Sequence, residues 1–104
     1  MSRSIEAHQD GSTLKLTLKM PRLDASAARG FKDDCDAVWR DQVSAVEINL
    51  GVVQFIDSSG IGALLSIYKK LPSGTPSVRL VEASPEVQSV IQLLRLHRIF
   101  ELVE

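Results

Sequence analysis

Cysteine is nearly absent from this sequence: the single Cys35 leaves no second thiol, so no disulfide can close within the chain. An excess of charge is also missing, since 12 Lys and Arg stand against 13 Asp and Glu, a net of -1. That balance excludes the basic footprint of a nucleic-acid-binding protein. No apolar run approaches the roughly 20 residues that span a bilayer. Residues Met1 to His8 lack the apolar core of a signal peptide, so neither nucleic acid nor membrane is an expected partner and the expected compartment is cytoplasmic. His8 and His97 are far apart in sequence, so no metal site is expected, and nothing calls for a cofactor. There is no linker, repeat or low-complexity tract. Residues 1–104 therefore read as one domain, with an apolar fraction of 44% that supplies a core without staples.

What is present is periodicity. Leu14, Leu16, Leu18 and Met20 alternate with Thr13, Lys15, Thr17 and Lys19, the pattern of a strand with one buried and one wet face. Such alternation fits an antiparallel or edge position. Ser4 to His8 forms a short partner strand, with Asp10-Gly11 as the hairpin turn. Pro21 to Asp24 breaks the strand, and Asp24 is placed to cap the helix that follows. That helix carries Ala28, Phe31, Cys35 and Val38 on its apolar face and Lys32, Asp33, Asp36 and Arg40 on the other, with Asp36 and Arg40 spaced as an ion pair. Trp39 either caps the core or lies partly exposed.

Ala45 to Leu50 is a second main strand, and Gly51 to Ile56 continues extended and apolar. After Asp57-Ser58-Ser59-Gly60 comes a helix with Ile61, Leu64, Leu65, Tyr68 and Leu71 on one stripe, ended by the Pro72 to Pro76 run. Val78 to Val81 is a strand. Ser84-Pro85 opens a helix with Val87, Val90, Ile91 and Leu94 buried, and Ile99 to Val103 closes as a strand. This alternation predicts an α/β fold, with a parallel or mixed sheet and crossover helices. Functional groups then gather at the carboxyl ends of strands, where both Asp24 and the Asp57 to Gly60 turn fall.

At Asp57 to Gly60, either Asp57 or Ser58 can cap the helix, and both choices leave a serine hydroxyl in its first turn. Free amides and the helix dipole there tolerate an added anion. The small Gly60, Gly62 and Ala63 let another protein's backbone come close. No histidine lies near this turn in the inferred topology. A serine nucleophile would lack its base, and the chain reads as the substrate of an enzyme and not as one.

The run Val53-Gln54-Phe55-Ile56-Asp57-Ser58-Ser59-Gly60-Ile61-Gly62-Ala63-Leu64-Leu65 resembles the signature segment of STAS domains, the sulfate transporter and anti-sigma factor antagonist family. Arg22-Leu23-Asp24 resembles the family's first turn, and Ser84 through Phe100 its last helix and strand. The resemblance implies a single STAS domain with a mixed, mostly parallel sheet of about five strands. In that family an Asp-Ser-Ser-Gly turn is typical of phosphorylatable anti-sigma factor antagonists, which makes Ser58 the expected acceptor. The expected partner surface comprises Asp24, Asp57, Ser59, Gly60, Ile61 and Gly62. The implied partners are an anti-sigma factor that is also a serine kinase, and a PP2C-type serine phosphatase that resets the switch. The free chain is expected to be a monomer.

Two departures stand out. Pro21-Arg22-Leu23-Asp24 replaces the usual Gly-Glu-Leu-Asp, keeping the acid and altering the glycine position. Arg95-Leu96 replaces a common Gly-Leu pair, so the last helix is expected to end differently, running on toward His97. Alternative readings are an accessory subunit of a lipid-transport ABC system, or an unmodified scaffold in a sensory assembly. Such accessory subunits often lack the serine pair found here.

Overall fold

The alternating leucines of the first strands set the architecture. In the structure, a computed structural model describing residues 5–71 and 78–103, β1 (Ile5–Asp10) and β2 (Thr13–Leu18) form an antiparallel hairpin. Gly11 takes the turn at φ 62°, a conformation that favours glycine. Ser4, the expected start of the first strand, lies outside the described residues. β2 stops at Leu18 and leaves Met20 half-buried beyond it.

The chain continues through β3 (Arg22–Leu23), α1 (Ala25–Val38), β4 (Ala45–Asn49), β5 (Phe55–Ile56) and α2 (Ser58–Lys70). It ends with β6 (Val78–Val81), α3 (Pro85–Leu93), a 3-10 turn at Leu96–Arg98 and β7 (Glu101–Leu102). The main sheet has five strands in the order β1-β2-β4-β6-β7, and every pair except β1-β2 is parallel. The expected mixed, mostly parallel sheet with crossover helices is therefore present. β3 and β5 form a separate two-stranded parallel ladder.

One face of the main sheet is dry. Leu14, Leu16, Leu18, Val46, Ile48, Val78 and Leu80 point into a core shared with Phe31, Leu64, Ile67, Ile91 and Phe100. The opposite face carries Lys15, Glu47, Arg79 and Glu101 in one cross-strand row. Arg79 meets Glu47 at 3.4 Å and Glu101 at 3.5 Å. These solvent-facing pairs contribute little stability, but they keep the face wet.

Several helix ends differ from the sequence reading. α1 ends at Val38 and Trp39 is extended, so Arg40 is off the helix and Asp36 pairs instead with Lys70 of α2. Trp39 is half-buried against the core, with the Lys70 ammonium 5.2 Å from its ring centre. On α2 the buried set is Gly60, Ile61, Ala63, Leu64 and Ile67, while Leu65 and Tyr68 are half-buried. The Pro72 to Pro76 run lies outside the described residues. α3 does not run on to His97. It stops at Leu93, and Arg95 adopts the left-handed conformation at φ 59° that commonly follows a helix. Leu94, expected on the buried stripe, is half exposed. Ile99 and Phe100 donate their amides to Leu96 O and are spent on the 3-10 turn, which shortens β7 to Glu101–Leu102.

Cys35 sits in the core as expected, 1% exposed. Burial, then the nearby Asp36 and Asp34 charges, push its thiol up to about 12.

Candidate functional site

Two helices begin side by side at one end of the molecule, and the β3-β5 ladder holds them there. Arg22 pairs with Phe55 and Leu23 with Ile56, so Asp24 and Asp57 follow in matching positions. Pro21 O accepts from Gln54 N at 2.7 Å and Phe55 N at 3.2 Å, and Leu23 O accepts from Asp57 N at 3.4 Å. Both aspartates are extended N-caps, Asp24 at φ -119°, ψ -169° and Asp57 at φ -117°, ψ -171°.

Of the two caps open at the second helix, the structure selects Asp57. Its Oδ1 accepts from Ser59 N at 2.9 Å and Gly60 N at 3.1 Å. Ser58 is thus the first helical residue, not the cap. Asp24 does the same for α1, accepting at Oδ1 from Ser26 N at 3.1 Å and Ala27 N at 3.3 Å. Asp24 has two further donors. Ser26 Oγ donates to its Oδ1 at 2.7 Å, and Arg22 Nε donates to its Oδ2 at 3.2 Å. The Ser26 hydroxyl, and after it the Arg22 guanidinium, hold the Asp24 carboxyl below its ordinary value. Arg22 also stacks over the Phe55 ring at 4.2 Å, tying the first turn to the second strand of the ladder.

The residues expected at the site divide by direction. Ser58, Ser59 and Gly62 are exposed, and Asp24 and Asp57 are half-buried. Among the described residues, neither the Ser58 nor the Ser59 hydroxyl has a hydrogen-bond partner. Gly60 and Ile61 are buried, so they shape the turn from beneath. A Cβ on Gly60 would overlap the Leu23 carbonyl oxygen and lie 2.8 Å from Ile56 Cγ1, which is why α2 needs glycine at this point of close approach. A Cβ on Gly62 would meet nothing within 4 Å.

Sequence reasoning missed two features. One is the Arg22–Phe55 stack. The other is a groove between α1 and α2 whose lining includes Arg29, Lys32 and Ser59. The repeat of Ala25, Ala28, Arg29 and Lys32 at helical spacing was the available signal for the groove. Among the described residues, no three His, Cys, Asp or Glu side chains are grouped to hold a metal. No described helix is long and apolar enough to cross a membrane.

Comparison with known proteins agrees with this architecture. An anti-sigma factor antagonist from Mycobacterium paratuberculosis superposes with a TM-score of 0.81 at 25% identity, covering 97% of this chain and 85% of that one. A STAS domain protein from Planctomyces limnophilus gives a TM-score of 0.84 at 19% identity, covering 100% and 92% of the two chains. The phosphorylated form of the Bacillus cell fate determinant SpoIIAA gives 0.65 at 20% identity, covering 96% and 91%. The STAS domain profile matches residues 4–104, and the chain belongs to that family.

Proposed function

We propose that this chain is an anti-sigma factor antagonist whose binding is switched off by phosphorylation of Ser58. The unphosphorylated domain binds an anti-sigma factor that is also a serine kinase, across a surface formed by Asp24, Asp57, Ser58, Ser59 and Gly62. Gly60 and Ile61 hold that surface in shape. The kinase transfers the γ-phosphate of ATP to Ser58 and the complex separates. A PP2C-type phosphatase then restores the hydroxyl.

One observation carries the reading: Ser58 opens α2 with an exposed hydroxyl, while the capping amides beside it are already held by Asp57. A phosphate there cannot take those amides without displacing Asp57. It stands in solvent beside a carboxylate, adding roughly -1.5 to -2 charges to the contact surface. Weakening a complex a thousandfold requires about 4 kcal/mol. Like-charge contact and lost hydrogen bonds across an interface are of that size. The domain itself has no need to rearrange. The likeness to the Mycobacterium paratuberculosis antagonist supports the partner class.

The test is co-expression with the anti-sigma kinase that co-purifies with the chain. Intact mass should rise by one phosphate, and fragmentation should place it on Ser58. Ser58→Ala should remain bound in the presence of ATP, and Ser58→Asp should bind at least about a hundredfold more weakly. Phosphate on Ser59 alone would overturn the assignment, and so would recovery of a transporter ATPase with no kinase.

A further inference from the structure

Between α1 and α2 lies a groove of about 710 Å³, with Ala25, Ala28, Arg29 and Lys32 on one wall and Ser59 and Gly62 on the other. Ser58 is not part of it. The two serines, adjacent in sequence, therefore face different surroundings: Ser59 toward a cleft that holds Arg29, Lys32, Asp33 and Asp36, Ser58 outside it.

Three details make the cleft suited to an anion. Gly62 has open space around its Cα, so packing does not demand glycine there, and its missing side chain leaves the groove clear one turn below Ser59. Arg29 and Lys32 are three residues apart and share one helix face, both exposed and free to swing toward the opposite wall. Asp33 and Asp36 also face the groove, and Asp57 accepts from the Ser59 amide; Asp36 is engaged by Lys70, so on the α1 wall Arg29 and Lys32 together outweigh Asp33. A guanidinium can bind phosphate through two parallel hydrogen bonds, which a lysine at the same place supports as a point charge.

We propose that Arg29 and Lys32 form a receptor for a phosphate carried by Ser59, so that phosphorylation of the two neighbouring serines has opposite physical results. A phosphate on Ser58 projects from the contact surface. A phosphate on Ser59 is drawn into the groove and neutralised within the same chain. The modifying step is ordinary phosphoryl transfer from ATP. Ser59 Oγ forms the new P–O bond, the bond to the β-phosphate breaks, ADP leaves, and the hydroxyl proton passes to the kinase's base. Only the contrast with Ser58 rests on the partner-release reading. The receptor itself is a property of the isolated domain.

The experiment needs no kinase. Phosphoserine is incorporated during synthesis at position 58 or 59 of the full chain, and each phosphate is titrated by 31P NMR at low and high salt. The Ser59 phosphate should ionise about one unit lower than the Ser58 phosphate, a tenfold stronger second acid. High salt should narrow the gap, because the cations are exposed. Arg29→Gln with Lys32→Gln should close it, while Lys69→Gln, on the same helix as Ser59 but outside the groove, should not. Both substitutions lie on exposed positions, and circular dichroism of the unphosphorylated variants verifies the fold. Equal titration of the two phosphates overturns the proposal, as does a gap that survives loss of Arg29 and Lys32. Either failure leaves release through Ser58 standing, and failure of that release leaves this result untouched.

Discussion

The helix starts at Asp24 and Asp57 are near copies in backbone and differ in their side-chain hydrogen bonds. Each follows a two-residue strand of the same ladder, each is capped by an extended aspartate, and each has a serine two positions on. At the first turn that serine is consumed: Ser26 Oγ is bound to Asp24, and Arg22 supplies a counter-charge. Ala25 occupies the position that Ser58 holds in the second. At the second turn both hydroxyls are exposed and the aspartate serves only the backbone. The first cap spends its serine within the chain, whereas the second leaves two hydroxyls in solvent. The difference lies in side-chain hydrogen bonds and not in the path of the chain.

The largest test of this comparison is steric. Ala27 is the counterpart of Gly60, three residues beyond its cap, and there the chain carries a half-buried methyl packed against the core. Gly60→Ala should force α2 away from β3 and cost about 3 kcal/mol in urea unfolding, the upper range for overpacking. The reverse change, Ala27→Gly, should cost only about 1 kcal/mol through helix propensity. Equal losses would mean that the two turns are not packed differently.

Next come the caps. Asp57→Ala should cost about 1 kcal/mol, the ordinary value for a lost N-cap. Asp24 is distinguished by pH. Its carboxyl is held below the ordinary value, so folding favours the ionised form. That contribution is complete above the unfolded carboxylate value of about 4, and it is lost as pH falls through the lowered folded value. Asp24→Asn should therefore flatten the decline of stability below about pH 4, as measured by urea midpoints across the acid range. An unchanged acid limb would show that Arg22 and Ser26 do not set its charge.

The smallest effects concern the paired serines. Ser26→Ala removes a bound hydroxyl and should cost on the order of 0.5–1 kcal/mol, with the Asp24 carboxyl rising toward its ordinary value by NMR titration. Ser59→Ala removes one without a partner among the described residues and should fall within about 0.5 kcal/mol of zero. A larger loss at Ser59 would place its hydroxyl in the same structural role as Ser26.

Much of this was readable before the structure. Alternating apolar residues located β2 and β4, the Asp10-Gly11 turn pointed to β1 as the hairpin partner, the short apolar run Val78 to Val81 gave β6, and the cap chemistry of aspartate located both helix starts. Ala28, Phe31 and Cys35 were found on the buried face of α1. The β3-β5 ladder was not visible, because two-residue strands are too short to show a period. On α2 the expected stripe is buried at Ile61, Leu64 and Leu71 and half-buried at Leu65 and Tyr68, while Ala63 and Ile67 were missed because that helix packs against the ladder through Gly60 as well as against the sheet. The inward direction of Gly60 was hidden for the same reason. A glycine before a helix reads equally as room for a partner or room for a neighbouring strand, and only tertiary packing separates the two. The Asp36 contact with Lys70 joins residues 34 apart, beyond any local spacing rule.

Cys35 turns this packing into a clock. With its thiol pushed up to about 12 by burial, Cys35 carries very little of the reactive thiolate in the folded chain near pH 7. It is also 1% exposed, so alkylating reagents reach it only through an opening of the fold around it. The rate at which a dilute thiol reagent labels the chain then reads the population of opened molecules directly. Since this is the single cysteine, that reading needs no mutation, and it can be taken in a cell extract as well as in a cuvette.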